Sequence, residues 1–187
     1  MDAASQYALA YSLTTAAGVR AVLALALVAV ATHLGLLHPP SSFSWLASPI
    51  AMWILIAVGM AELLGDKIPV LDHAMHVLQI AIKPAAAAII VGGTVHVQSN
   101  EMLIFLMVVG ALNALGVHAG VMTVRGASTV TTGGLANPAV SAAEDVGTVC
   151  TVILAFVAPV VAAMLAICVA AVLINSAVRG MRRVTRA

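Results

Sequence analysis

Apolar positions along the chain fall into five long runs, roughly 7–36, 44–64, 74–97, 102–124 and 146–178. The breaks between them are "HPPSSFS", the block "GDKIPVLDH", "VQSNE" and the Gly/Ser/Thr-rich stretch "RGASTVTTGGLANP". Each break carries turn-forming or polar residues, and each run offers about the 20 apolar residues a helix needs to cross a bilayer. The pattern predicts an all-α polytopic membrane helix bundle of five to six spans, a single transmembrane domain over residues 1–187. The first and last runs exceed a minimal span, so they must tilt, kink or project. Pro84 and Pro159 each fall inside an apolar run, where a proline removes a backbone donor and bends the helix. They predict Pro-kinked helices.

Composition agrees with the pattern. The chain is 63% hydrophobic and 8% charged, with a mean hydropathy of +1.12, against about 25% charged in an average soluble domain. Aromatics are 4% and the one basic run is "RGMRRVTR" at the C-terminus, so nucleic-acid binding is set aside. That basic run directly follows an apolar helix and places the C-terminus in the cytoplasm. At the other end, "AVA" resembles a signal-peptide cleavage site. However, Asp2 stands where a basic region belongs and Arg20 interrupts the apolar run, so the segment reads as a retained first span. Cys150 and Cys168 fall in one predicted helix, too far apart to bridge, and read as small packing residues. The string "AAGVRAVL" at 16–23 is similar to "ALGVHAGV" at 114–121, and "ASP" at 47–49 to "ANP" at 136–138. The two offsets differ, 98 and 89 residues, so the strings read either as chance matches or as traces of an internal duplication with half-repeats 7–97 and 102–178, which as inverted repeats would bring polar breaks to the midplane from both sides.

The ionisable residues are concentrated in two blocks. "AELLGDKIPVLDHAMH" (61–76) contains Glu62, Asp66, Lys67, Asp72, His73 and His76. Glu62 and Asp66 are four apart, as are Asp72 and His76, so each pair shares a helix face. "ANPAVSAAEDVGTVC" places Glu144 and Asp145 where an apolar helix is predicted to begin, with Ser141 one turn before. His118 and Arg125 are seven apart in the fourth run, and Arg20 is about 20 Å into the first, close to the midplane. A charge there costs at least about 2.5–3.5 kcal/mol and requires an acidic partner or a polar cavity. Clustered carboxylates repel, which raises a pKa or recruits a cation, and oxygen ligands beside imidazole suit manganese or calcium.

Glu62, Asp66, Asp72, His73, Glu144 and Asp145 are therefore the candidate ion- or proton-binding residues. The five carboxylates among them are the candidate ligands of a transported divalent cation. Arg20, Lys67, His118 and Arg125 are candidate counter-charges or relays, and Pro69, Pro84, Asn137, Pro138 and Pro159 mark candidate helix breaks. Plainer readings stand beside these. Asp66 to His73 also fits a solvated turn with Asp72 as an N-cap, the helix dipole alone accounts for acids at a helix start, and Lys83 either neutralises a carboxylate or snorkels to the interface. No HExxH, GxSxG or P-loop pattern occurs, and no nucleophile adjoins a base, so an enzyme is not expected.

The combination "E…DKIPVLDH…KP" in the first half and "H…R…NP..S..ED" in the second resembles small bacterial membrane proteins grouped as the domain of unknown function 4126 family. The resemblance covers nearly the whole chain. It implies Asp66, Lys67, Pro69, Asp72, His73, Pro84, His118, Arg125, Asn137, Pro138, Ser141, Glu144 and Asp145 as family-pattern positions, and a multi-pass protein of the bacterial inner membrane. Relatives often carry an acid where His76 stands and arginine where Lys83 stands. The string "ELLGDK" is also similar to the Glu-x-Gly-Asp-Lys signature of calcium/manganese-proton exchangers, with one extra residue and no hydroxyl residue after the lysine.

The expected function is secondary transport or ion permeation of a cation coupled to protons through the acidic pairs. The alternatives are an anion or lipid-phosphate carrier using Arg20, Lys67, Lys83 and Arg125, and a non-transporting structural subunit whose charges pair between helices. The expected partners are the lipid bilayer and a small inorganic ion, with no cofactor. Gly116 and Gly120, four apart, allow close helix packing within the chain or with a second copy.

Overall fold

The structure, a computed structural model, describes the backbone of residues 1–65 and 69–184 and the side chains of residues 1–65 and 78–179. Among the described residues the chain is all-α, with no strand. Helix α1 (Ala3–Val19) is followed by α2 (Ala21–His33), a 3-10 segment (Ser41–Ala47), α3 (Pro49–Gly65), α4 (Pro69–Thr94), α5 (Asn100–Thr132), α6 (Asn137–Val157) and α7 (Pro159–Val184). Three helices are long and apolar enough to cross a membrane: α5, α6 and Pro159–Arg179 of α7. The 3-10 segment together with α3, bent by 66° between them, makes a fourth by the same criterion. Apolar helices of this kind fit a membrane protein.

The helices depart from the predicted runs in several places. Run 44–64 is split at Ser48 into the 3-10 segment and α3, α4 begins at Pro69 so that Asp72 lies inside it and is not its N-cap, and α5 continues to Thr132. Run 7–36 is two helices, broken at Arg20. Run 146–178 is also two, since α6 starts upstream at Asn137 and ends at Val157, and Cys150 and Cys168 lie on different helices, both free and exposed. Pro84 does not end its helix: α4 continues through it, although Ile80 loses its usual donor there.

Helix α1 is the central post of the bundle. It packs on α4, α5, α6 and α7, and from Leu9 to Gly18 every residue except Tyr11 is buried. A helix buried on all sides by other helices must be slim, and this one is built largely of Ala, Ser, Thr and Gly. Gly18 shows the need: a Cβ there would lie 2.6 Å from Val117 Cβ and 2.8 Å from the Ala114 carbonyl oxygen. The small residues of α5 do the same for α7, where a Cβ at Gly116 would meet Ile174 at 3.0 Å and one at Gly120 would strike the Leu173 backbone. Within α1 the hydroxyls are satisfied locally or by α5, whose Asn113 Nδ2 donates to Thr14 (3.0 Å) and Thr15 (2.9 Å). Helix α2 leaves this centre to pack on α3 and α4.

Between α5 and α6 the chain turns at Gly133, whose φ of 63° is the left-handed conformation that glycine tolerates best. Pro138 then occupies the first turn of α6, where its missing N–H costs nothing, and Asn137 Nδ2 donates to Thr129 Oγ1 at 2.9 Å.

Candidate functional site

The break between α1 and α2 has no local cause. Arg20 adopts an extended conformation (φ −133°, ψ 98°), yet Val19, Arg20 and Ala21 are all compatible with a helix. Its amide still bonds the Ala16 carbonyl (2.9 Å), and regular bonding resumes with Ala24 N–H to the Arg20 carbonyl (3.0 Å). In between, the end of α1 presents carbonyls and the start of α2 presents amides. Inside an apolar bundle these groups need partners.

Neighbouring helices provide them. Glu62 of α3 is 2% exposed, and its Oε2 accepts the amides of Val22 (3.2 Å) and Leu23 (3.1 Å). Those are the second and third positions of α2, so Glu62 caps that helix from another element, and its charge complements the positive end of the dipole. Lys83 of α4 is 1% exposed, and its Nζ donates to the Val19 carbonyl at 2.9 Å. It thereby places a cation on the negative end of α1. Lys83 Nζ also lies 2.9 Å from His118 Nδ1 on α5. An ammonium has only donors, so against a charged Lys83 the Nδ1 atom is the acceptor. Lys83 does not snorkel, because the broken end of α1 offers it a partner at depth.

The Arg20 side chain, 1% exposed, turns the other way, to α6. Its Nη2 donates to Ser141 Oγ (2.8 Å) and reaches Glu144 Oε2 (3.4 Å), while Nε lies 2.7 Å from Asp145 Oδ1. Ser141, Glu144 and Asp145 share one helix face through their three- and four-residue spacing. Arg125 of α5 completes the cluster with a two-pronged grip on Glu144, Nε to Oε1 at 2.8 Å and Nη2 to Oε2 at 2.5 Å. Glu144 is thus shared between two arginines. Forked guanidinium–carboxylate contacts are among the stronger and most directional polar interactions.

Glu144 also borders a cavity of about 540 Å³ between α1, α5, α6 and α7. Its walls are otherwise mostly apolar, with Val121, Leu154, Leu165 and Leu173 among them. The hydroxyl of Thr148, one turn beyond Glu144 and 1% exposed, has no hydrogen-bond partner among the described residues. The network is therefore walled by protein on one side and open to a cavity on the other.

The predicted residues meet this geometry unevenly. Arg20, Glu62, His118, Arg125, Ser141, Glu144 and Asp145 converge on the break, together with Lys83. Glu144 and Asp145 stand two turns inside α6 and not at its start, so the helix dipole does not account for them. Asp66 and Lys67 lie outside the described residues, as do the side chains of Asp72 and His73, whose backbone belongs to the start of α4. Pro69 and Pro159 are the first residues of α4 and α7. Among the described residues no group of three His, Cys, Asp or Glu side chains is placed to hold a metal ion. Glu62 serves the end of α2, while Glu144 and Asp145 rest on arginines. The sequence reading also passed over Gln79 and Thr148, both buried. For Lys83, a lone lysine deep inside an apolar run was the available signal.

An all-α chain with apolar membrane-length helices and a buried ionic network at a broken helix is the class the architecture defines. Within it, the chain belongs to the family described as domain of unknown function (DUF4126), whose model matches residues 7–179. No curated protein and no solved structure matches the chain. The likeness of "ELLGDK" to the exchangers therefore has no counterpart in these comparisons.

Proposed function

We propose that the protein is a secondary transporter that couples movement of a small cation to protons, with the ionic network at the Arg20 break as its coupling device. The observation that carries this reading is the discontinuous helix itself, with Lys83 on the end of α1, Glu62 on the start of α2 and Arg20 clasped by α6. Interrupted helices whose dipole ends face ionic groups recur at transport sites, because the free helix ends supply partial charges to substrate and coupling ions. Protonating Glu144 or Asp145 removes the charge that holds Arg20 and Arg125. The contact between α6 and the break then loosens, on the side where Glu144 borders the cavity between α1, α5, α6 and α7. Neutralising a carboxylate in this way links proton binding to the arrangement of the helices.

In this reading the bundle has five to six spans. The 3-10 segment with α3, then α4 and α5, add to a broken first span α1–α2, and α6 and α7 count as one or two. The basic C-terminus faces the cytoplasm of a bacterial inner membrane. Half-repeats 7–97 and 102–178 would pair Arg20 with His118, and both side chains belong to the same network. A second reading, an anion carrier, is favoured by the three buried cations Arg20, Lys83 and Arg125, each resting on groups that an anion could replace.

The test is uptake in proteoliposomes, with calcium, manganese and proton fluxes followed for the wild type and Glu144→Gln. Loss of about tenfold or more in a wild-type cation flux supports the proposal. An unchanged flux in Glu144→Gln and Asp145→Asn would refute it. Anion uptake that survives Glu144→Gln and is lost in Arg125→Gln would select the carrier of anions.

A further inference from the structure

We infer that the cavity between α1, α5, α6 and α7 binds a small uncharged hydrophobic molecule that carries a carbonyl oxygen, drawn from the bilayer and hydrogen-bonded by Thr148. At about 540 Å³ the cavity is of ligand size. Leu165 and Val169 of α7 line it and are about half exposed, so a molecule dissolved in the hydrocarbon can reach it from the side.

Thr148 points to the occupant's polar atom. Every other described threonine donates its hydroxyl proton to a backbone carbonyl three or four residues back, as hydroxyls inside helices commonly do. Thr148 lines the cavity, is 1% exposed, and makes no such bond. Valine would fill the same space without the cost of an unpaired buried donor. The other hydroxyls of the wall, on Thr15 and Thr151, give their protons to the carbonyls of Tyr11 and Gly147. Of the three, only Thr148 has its proton still to give, and it calls for an acceptor.

Glu144 sets the charge. Its Oε1 accepts from Arg125, and its Oε2 faces both Arg125 and Arg20. A carboxylate or phosphate in the cavity would be repelled by this carboxylate, and a cation would compete for it with two guanidinium groups already in place. The remaining wall is mostly apolar and offers an ion nothing in exchange for its water. Depth sets the rest. Thr148 stands near the middle of α6 (Asn137–Val157), a helix of membrane length, so its partner lies below the headgroups, where a phospholipid has only hydrocarbon tails. The occupant therefore dissolves whole in the hydrocarbon. A carbonyl gives it an acceptor without adding a donor that this wall would have to answer. The site goes beyond the transport reading and does not rest on it.

The test uses the full-length protein in proteoliposomes with benzophenone, an uncharged ketone that attaches to nearby C–H groups on illumination, and maps the adducts by mass spectrometry. Leu154, Leu165 and Val169 of the wall are expected to carry about fivefold or more adduct than Phe105 and Leu112, which are exposed on α5 away from the cavity. Thr148→Val keeps the shape of the side chain and removes the hydroxyl. It should lower the wall adducts about fivefold, the worth of one neutral hydrogen bond, and leave those on Phe105 and Leu112 unchanged. Thr148→Ser should restore them. The unfolding midpoint of Thr148→Val without benzophenone should hold or rise, since only an unpaired donor is lost. Adducts spread evenly over wall and exposed α5 residues, or a wall without adducts, would overturn the inference, the first meaning that the bilayer merely wets the groove. A Thr148→Val variant that labels like the wild type would reduce the site to an apolar groove without carbonyl recognition. A clearly lowered midpoint would also sink it, because the hydroxyl would then be engaged within the protein.

Discussion

The two interrupted helices have nearly the same backbone at the break and different causes. At Arg20 the dihedrals are φ −133° and ψ 98°, and at Ala158 they are φ −143° and ψ 72°. In both, the break residue's amide still reaches back four residues, to Ala16 at 2.9 Å and to Leu154 at 2.7 Å. Bonding resumes four residues on, from Ala24 at 3.0 Å and from Ala162 at 2.9 Å. At Ala158 the next residue is proline, which lacks an N–H and restricts the residue before it to extended conformations. That break is written into one position. At Arg20 nothing in the neighbouring residues interrupts a helix, and the broken ends are held by Glu62, Lys83 and the acids of α6. The break at Ala158 has a cause in the adjacent residue, whereas the ionic break lasts only while its partners keep their charges.

Substitutions at the two breaks should therefore differ in size and in kind. The largest effect is expected for Arg20→Leu, which takes one of the two arginines from Glu144 and the Nε contact from Asp145. A loss of about 3–5 kcal/mol is expected for breaking one side of a buried pair, read as a lowered unfolding midpoint in detergent. Arg20→Lys keeps the charge but not the fork, and should recover only part of it.

Glu62→Ala comes next. It strips the α2 amides of their acceptor, and the loss of charge-assisted hydrogen bonds is worth about 1.5–3 kcal/mol. Glu62→Gln should fall well short of that, since the cap survives without its charge. If the alanine and glutamine variants unfold alike, the capping role is wrong.

Lys83→Met is expected to cost somewhat less, because it leaves uncharged groups, the Val19 carbonyl and His118, without their donor. Combined with Glu62→Ala it sharpens the comparison, since both residues hold one break. Their effects should deviate from additivity by about 0.5 kcal/mol or more. Clean additivity would show two independent contacts.

The smallest effect belongs to the other break. Pro159→Ala restores an N–H at the first position of α7 and should change stability by less than about 1 kcal/mol. Additivity of Pro159→Ala with Glu62→Ala, within about 0.5 kcal/mol, would confirm that the two breaks are held separately. Strong coupling between them would contradict the distinction drawn here.

Much of the helical content was legible along the chain, because long apolar runs punctuated by polar turns leave few other structures for a chain in lipid. The turn at "TTGGLANP" and the breaks marked by Pro69 and Pro138 could be read from residues whose backbone preferences are local. The helix starts could not: the runs began at 74 and 146, whereas α4 begins at Pro69 and α6 at Asn137. The run 7–36 was misread for the complementary reason: alanine, valine and leucine continue on both sides of Arg20. Arg20 itself, a charge deep in an apolar run, signalled a buried partner without naming it. Glu144 and Asp145 stood out as acids, yet their place two turns inside α6 depended on where the chain leaves the Gly133 turn. Lys83 was ambiguous between interface and interior until its distance to the Val19 carbonyl was known. Gln79 and Thr148 gave no pattern, since one polar residue in an apolar helix is common and its meaning lies in what it fails to touch.

By itself, the sequence determined an all-α membrane chain of the DUF4126 family, with its scarce charges gathered in a few positions. Composition and periodicity settle such matters because the bilayer penalises every unpaired polar group in the same way wherever it lies. Only the tertiary structure decided which charges meet: Arg20 with Ser141, Glu144 and Asp145, Arg125 with Glu144, Lys83 with Val19 and His118, and Glu62 with the amides of α2. Those pairings span 19 to 125 positions of chain, and ionic contacts depend on distances of a few ångströms that helix packing alone sets.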